Sequence, residues 1–212
     1  MLSSKTTGLM LITAFITLVF VIVPITMMGD AGSPTEIIDW AVANSGTAEI
    51  VITLNMIANI LLIIFTVGFI SWAHSIDESN AAITIGKYSA VLALALIWIG
   101  DVSHMAALRT ATDNTEYSDG LVRLAPNLIA LSHTLTWVGM LTFLGSFFIV
   151  GATAYVKKVG TTLLNALLAI VGIVGCVGGF IPTELDWIFW VGGFLIGFIL
   201  MGIIGIQKVM RS

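Results

Sequence analysis

The chain has 212 residues, of which 58% are hydrophobic and 9% are charged, and its formal net charge is −4. An average soluble domain has roughly 25% charged residues, so this composition excludes a soluble fold. The sequence also has no run of Lys and Arg that could follow a phosphate backbone, which argues against nucleic acid as a partner.

The apolar residues form long blocks separated by short polar breaks. A bilayer selects this pattern because every backbone hydrogen bond must be made within the spanning segment, as in a helix. A transmembrane barrel would show apolar and polar residues alternating, and runs such as 60–64 do not alternate. We therefore predict an all-α, polytopic transmembrane helix bundle in a single domain, with the lipid bilayer as its surroundings.

Six spans are predicted, each of them long enough to cross a hydrocarbon core of roughly 30 Å. The first is expected to be a retained helix and not a cleaved signal peptide, because its apolar block is too long for one. In chain order the predicted spans are 8–28, 50–73, 88–108, 126–155, 162–181 and 187–206.

A short helix is predicted between the first two spans, at about 34–45. Ser33-Pro34-Thr35-Glu36 has the form of a capping box with proline at the first helical position. Trp40 would hold this helix at the level of the lipid headgroups. Two interpretations stay open: simple interfacial packing, or a lid over an external site.

The distribution of Lys and Arg predicts the orientation, since these cations resist translocation. With six spans both termini lie on one side. That side holds Lys5, Lys87, Lys157, Lys158, Lys208 and Arg211, and the other side holds Arg109 and Arg123. We therefore predict cytoplasmic termini, in what is expected to be a prokaryotic cytoplasmic membrane.

Glycine pairs one turn apart occur in the last two spans, at Gly175 and Gly179 and at Gly193 and Gly197. Such pairs let two helix backbones approach closely within a bilayer. They predict either packing within the chain or self-association, and association with other membrane subunits also stays open.

Ionisable side chains lie within two consecutive spans. Asp101 and His104 are three positions apart, so both project from one face of the third predicted helix. His133 lies in the fourth predicted helix at a similar depth. An intramembrane carboxylate needs a partner and usually faces the bundle interior. We expect Asn55 and Asn59, one turn apart on the second span, to face it, with Ser103 nearby.

This polar cluster has several interpretations. His104 and His133 could ligate a b-type haem, with Gly100 and Gly139 giving space for the porphyrin. Both histidines with Asp101 could hold a divalent metal ion, which would make the protein a metal-dependent membrane enzyme for hydrolysis or oxygen chemistry, or Asp101 and His104 could form a proton or ion pathway. The cluster could also be a structural network without any cofactor, in which a hydrogen-bonded carboxyl joins three helices.

Known catalytic signatures are missing from the sequence. It has neither a nucleophile elbow nor an HExxH motif, and no lysine lies in mid-span where a retinal Schiff base would form. These absences favour a non-catalytic protein, either an accessory subunit or a ligand-binding bundle.

Three features resemble one protein family: Gly29-Asp30-Ala31 after the first span, the apolar stretch 54–65, and the small-residue fifth span ending at Pro182. The plan resembles a family of small six-helix prokaryotic membrane proteins classed as a domain of unknown function. The resemblance implies a six-helix fold and transfers no residue role.

Overall fold

The structure is a computed structural model that describes residues 2–112, 118–181 and 186–212, with only the backbone at 118–123 and 186–187. Within these ranges the chain forms helices and contains no strand, which confirms that the fold is all-α. The helices are α1 (Ser4–Met28), α2 (Pro34–Ala43), α3 (Ser45–Ile76), α4 (Ala81–Thr112), α5 (Ser118–Val156), α6 (Thr162–Gly178) and α7 (Asp186–Met210).

Five helices in the described ranges are long and apolar enough to cross a membrane: α1, α3, α4, α5 and α7. Their length and composition are those of a multi-pass membrane protein. The remaining long apolar segment, α6, has 17 residues and is shorter than the others.

Several helix boundaries differ from the predicted spans. α3 and α4 each have 32 residues, because polar residues beyond the apolar block continue the helix. α5 begins at Ser118, so Pro126 lies inside it and does not start it. α2 ends at Ala43 and α6 at Gly178, short of their predicted ends. The start of the link between the fifth and sixth predicted spans, 182–185, lies outside the described residues.

The long helices are arranged as a ring. α1 packs against α3 and α7, α4 lies between α3 and α5, and α6 lies between α5 and α7. α5 also contacts α7 directly, and α2 packs against α3, α4 and α5. The interior of the ring is thus bordered mainly by α1, α3, α4, α5 and α7.

Glycines permit the closest of these helix contacts. A Cβ atom added at Gly100 would lie 2.6 Å from the Thr136 hydroxyl oxygen and 3.0 Å from the Ser132 carbonyl oxygen, so α4 and α5 touch through their backbones. A Cβ at Gly193 would lie 3.0 Å from Cα of Gly175. The glycine pairs of the last two helices therefore pack within the chain.

Side-chain contacts distinguish the two ends of the ring. At one end, here called the terminal end, the Thr7 and Ser71 hydroxyls are 2.8 Å apart and Lys157 pairs with Asp77. The opposite end is here called the α2 end. There Arg109 lies 3.5 Å from Glu49.

The terminal half of the ring is filled by aromatic side chains, here called the phenylalanine core. Its fully buried rings are Phe65, Phe69, Phe143, Phe147 and Phe198. The centroids of Phe65 and Phe198 are 4.4 Å apart, and those of Phe143 and Phe147 are 5.2 Å apart. This half is solidly packed.

A second, smaller apolar cluster, here called the cap core, lies at the α2 end. Ile37, Ile38 and Ala41 of α2 are buried against the adjoining ends of α3, α4 and α5. The predicted capping box is present, since the Glu36 N–H donates to the Ser33 hydroxyl at 3.2 Å and the Ser33 N–H donates to the Glu36 carboxylate at 2.9 Å. These hydrogen bonds hold the pKa of Glu36 below its usual value.

Candidate functional site

A cavity of about 770 Å³ lies between the phenylalanine core and the cap core. Its lining comes from the halves of α1, α3, α4, α5 and α7 that lie toward the α2 end. The lining residues are Thr17, Val21, Ile22, Pro24, Ile25, Met28, Asn55, Ala58, Asn59, Leu62, Ile97, Asp101, His104, Ser132, His133, Thr134, Thr136, Trp137, Met140, Trp190, Val191, Phe194 and Leu195.

Helical spacing places the polar side chains on this wall. Asn55 and Asn59 are one turn apart on α3, and Asp101 and His104 share a face of α4. His133 on α5 completes the group, because α4 and α5 are antiparallel neighbours in close contact. The structure thus brings five of the six residues of the predicted polar cluster to one cavity.

Ser103 is the exception and does not line the cavity. Its hydroxyl donates to the Ile99 carbonyl of its own helix at 2.9 Å. The physical reason is helical geometry, since a residue two positions from Asp101 projects from nearly the opposite side of α4. Trp98, three positions before Asp101, is 50% exposed and also lies outside the lining.

Two histidines face each other across the α4–α5 contact. The ring centroids of His104 and His133 are 6.4 Å apart, and the ring planes are inclined by 39°. His104 is partly buried, whereas His133 is exposed on the cavity side. Within the described ranges, no group of three His, Cys, Asp or Glu side chains is placed to hold a metal ion. Asp101 therefore does not join the histidines as a third ligand.

The space beside the two glycines that were expected to make room for a porphyrin is filled by the neighbouring helix. Gly100 contacts the Ser132 and Thr136 region of α5, and a Cβ added at Gly139 would lie 3.0 Å from the Ala93 carbonyl oxygen. These positions bring α4 and α5 together and leave no slot between them. The expectation that Gly100 and Gly139 provide space for a haem is therefore wrong.

Several buried polar atoms on the cavity wall lack a hydrogen-bond partner among the described residues. They are both amide atoms of Asn59, Nε2 of His104 and the hydroxyl oxygen of Thr136. Asn59 lies beside the Asp101 carboxyl but does not reach hydrogen-bond geometry with it. Leaving such an atom unpaired costs about 1–3 kcal/mol. All of these atoms belong to residues that line the one cavity.

Some of the lining residues were missed by sequence reasoning. Thr136 lies three positions after His133 and so shares its helix face, a spacing that could have identified it. Ser132 and Trp190 had no comparable signal. Neither did α1, whose uniform apolar sequence does not reveal which face borders a cavity.

No family model, no curated protein and no solved structure matches the chain. The resemblance to the six-helix family of unknown function therefore stays a prediction.

Proposed function

We propose that this protein is an integral membrane protein that binds a lipid-soluble molecule with a polar group in the cavity between its two cores, without catalysing a reaction on it. One observation carries the proposal. The buried polar atoms without a partner, on Asn59, His104 and Thr136, all belong to residues of the cavity wall. A ligand that donates and accepts hydrogen bonds would pair with these groups once their side chains turn toward the cavity.

The size and lining of the cavity support this proposal. Small-molecule sites typically have volumes of about 300–1,000 Å³ and combine apolar walls with a few convergent polar groups. The cavity, at about 770 Å³, fits this description. Ile22 and Ile25 of α1 line the cavity and are also exposed on the helix surface. A molecule dissolved in the bilayer would reach the site beside them.

The phenylalanine core argues against a proton or ion pathway. Leu62, Ile97 and Phe194 line the cavity and belong to the same buried apolar cluster as the rings of this core, so the cavity has an apolar floor. The Thr66 and Ser146 hydroxyls within the terminal half donate to carbonyls of their own helices. A continuous polar route would need free hydrogen-bonding groups on that side.

Haem ligation is the second candidate function, favoured by the 6.4 Å between the imidazole centroids. Two metal–nitrogen bonds of about 2 Å each, plus half the width of two imidazoles, sum to about this separation. The close α4–α5 contact at Gly100 opposes it, because a porphyrin would have to lie between the helices. An absorbance spectrum of the purified protein tests the candidate, and a Soret band would support it.

We also propose that α6 completes a set of six spans and that both termini are cytoplasmic, in a prokaryotic cytoplasmic membrane. A contact at the terminal end supports this arrangement. The Thr161 hydroxyl, just before α6, donates to the Gln207 side chain near the end of α7 at 2.7 Å, so the start of α6 and the C-terminus lie at the same end of the ring. Single cysteines at Asp30 and Glu78, in a Cys176→Ser background, should react with an impermeant thiol reagent from opposite sides. Labelling of both from one side would contradict this topology.

Any association with other membrane subunits would use surfaces other than the two glycine pairs. Gly175 and Gly193 contact each other, and a Cβ at Gly197 would lie 2.5 Å from the Phe147 ring. These faces are therefore occupied within the chain. An accessory role would depend on the lipid-facing sides of the helices.

The binding proposal is tested by extracting protein purified from its native membrane and identifying co-purified small molecules by mass spectrometry. The wild type should retain one species in a stoichiometric amount. Ala58→Phe, which fills the cavity from α3, should lose it. Ala106→Phe is the matched control, because Ala106 is exposed and outside the lining. Equal retention in both variants would contradict the proposal.

A further inference from the structure

Asp101 places a carboxyl group on the cavity wall with no Lys or Arg partner among the described side chains. Among the described side chains, the Lys and Arg ion pairs join Arg109 to Glu49 at the α2 end and Lys157 to Asp77 at the terminal end. Neither involves Asp101. A carboxylate within a membrane span is costly unless it is paired, and such residues usually mark a functional site.

The other polar groups near Asp101 do not carry a permanent positive charge. Asn59 and Thr136 offer neutral hydrogen-bonding groups, and the imidazoles of His104 and His133 line the same wall and face each other. Among the described side chains, the polar wall therefore combines one carboxyl group with two imidazoles and neutral donors and acceptors, and it holds no Lys or Arg. A ligand that brings a positive charge would pair with the carboxylate, whereas beside a neutral ligand Asp101 would have to keep its proton to avoid an unpaired buried charge.

The rest of the wall suits an apolar cation. Trp137 and Trp190 line the cavity, and indole rings attract cations at their faces. Val21, Ile25 and Leu195 present aliphatic surface for a hydrocarbon body. The cavity thus combines an acid, aromatic rings and apolar walls.

We infer that the cavity selects a lipid-soluble organic cation, an amine or quaternary onium group on an apolar body, with Asp101 as its counter-ion. This inference rests on the proposed binding function and adds the charge of the ligand. It extends the proposal because a neutral molecule could satisfy Asn59, His104 and Thr136 equally well.

The test uses two probes of similar aromatic bulk, the cation tetraphenylphosphonium and the neutral acceptor triphenylphosphine oxide. Binding is measured by equilibrium dialysis with the full chain in nanodiscs of zwitterionic lipid, and binding to empty nanodiscs is subtracted. The wild type should bind the cation more tightly. Asp101→Asn, which keeps the side-chain shape, should weaken cation binding by about thirtyfold or more and leave the neutral probe unchanged.

Asp30→Asn is the matched control, because Asp30 is an exposed acid that follows α1 at the same end of the ring. It should not change the binding of either probe. The inference is overturned if Asp101→Asn binds the cation as tightly as the wild type does, if the neutral probe binds equally well, or if neither probe binds. Loss of both probes in Ala58→Phe, with no effect of Asp101→Asn, would keep the binding function and reject the charge preference.

Discussion

The two halves of the ring are built from the same helices and packed in opposite ways. Toward the terminal end, α3 contributes Phe65 and Phe69, and α5 contributes Phe143 and Phe147, all fully buried. Toward the α2 end the same two helices present smaller or polar side chains to a cavity. In a bilayer helices associate through packing, so a hollow half loses contacts that the filled half keeps.

The comparison separates the residues that hold the bundle together from those available for function. Polar atoms at Asn59, His104 and Thr136 that have no partner among the described residues are a cost to the folded protein, and the phenylalanine core offsets part of it. Proteins commonly accept such local costs at functional sites. The contrast therefore predicts that substitutions in the two halves will have opposite effects on stability.

The largest effect is expected in the phenylalanine core. Phe143→Ala should lower the free energy of unfolding by about 3–5 kcal/mol, because it leaves a void among rings that contact one another. Reversible denaturation in mixed micelles measures this. Phe148→Ala is the control, since Phe148 is 37% exposed on the same helix, and it should cost much less. Equal losses would show that the core does not dominate stability.

In the cavity half, a substitution should change the free energy of unfolding in the opposite direction. Asn59→Leu should raise the free energy of unfolding of the ligand-free protein by about 1–3 kcal/mol, because it removes buried amide atoms that have no partner among the described residues. The same variant should lose the co-purified molecule. Thermal melting with and without that molecule measures both effects. If Asn59→Leu destabilises the ligand-free protein, the proposal that the Asn59 amide is paired only by a ligand is contradicted.

An effect of similar size but opposite sign to that of Asn59→Leu is expected where α4 meets α5 beside the cavity. Gly100→Ala should lower the free energy of unfolding by about 1–3 kcal/mol, because its Cβ would meet the Ser132 carbonyl and force the helices apart. At Gly145, a Cβ atom would have nothing within 4 Å. Gly145→Ala should therefore be neutral or slightly stabilising. Melting the two variants in detergent tests this. Equal destabilisation of both would contradict a close helix contact at Gly100.

The smallest effect concerns the capping box of α2 and depends on pH. The Gly32 and Ser33 N–H groups donate to the Glu36 carboxylate and lower its pKa in the folded state. The stabilisation of α2 is thus present above the pKa of unfolded Glu36 and is lost as the pH falls through the lowered folded value. Hydrogen exchange of α2 amides should show faster opening in acid. Glu36→Gln should show a flatter pH dependence, and an unchanged profile would contradict this role.

Much of the fold could be predicted because long apolar blocks identify helices directly, as they do for α1 and α3. The placement of Asp101 and His104 on one face followed from their spacing of three. Helix ends were less predictable, since Pro126 lies inside α5. The contribution of α1 and α7 to the cavity could not be predicted, because uniform apolar sequence does not distinguish a lipid-facing side from a cavity-facing one.

Gly100 and Gly139 show a second limit of sequence reasoning, which does not distinguish a gap beside a small residue from a close helix contact. Small residues beside two histidines were compatible with space for a cofactor or with close helix packing. Only the position of the neighbouring helix separates these interpretations, and α5 lies directly against Gly100. The free volume instead lies deeper in the ring, beside Asn59 and Trp190.

A density map of the protein, purified from its native membrane into nanodiscs, tests the central claim most directly. We predict a continuous non-water density in the cavity, in contact with Asn59, His104 and Thr136, whose polar atoms find no partner among the described residues. Its polar end should adjoin Asp101. A cavity that holds only ordered water, or one closed by side chains that satisfy these atoms, would contradict the account.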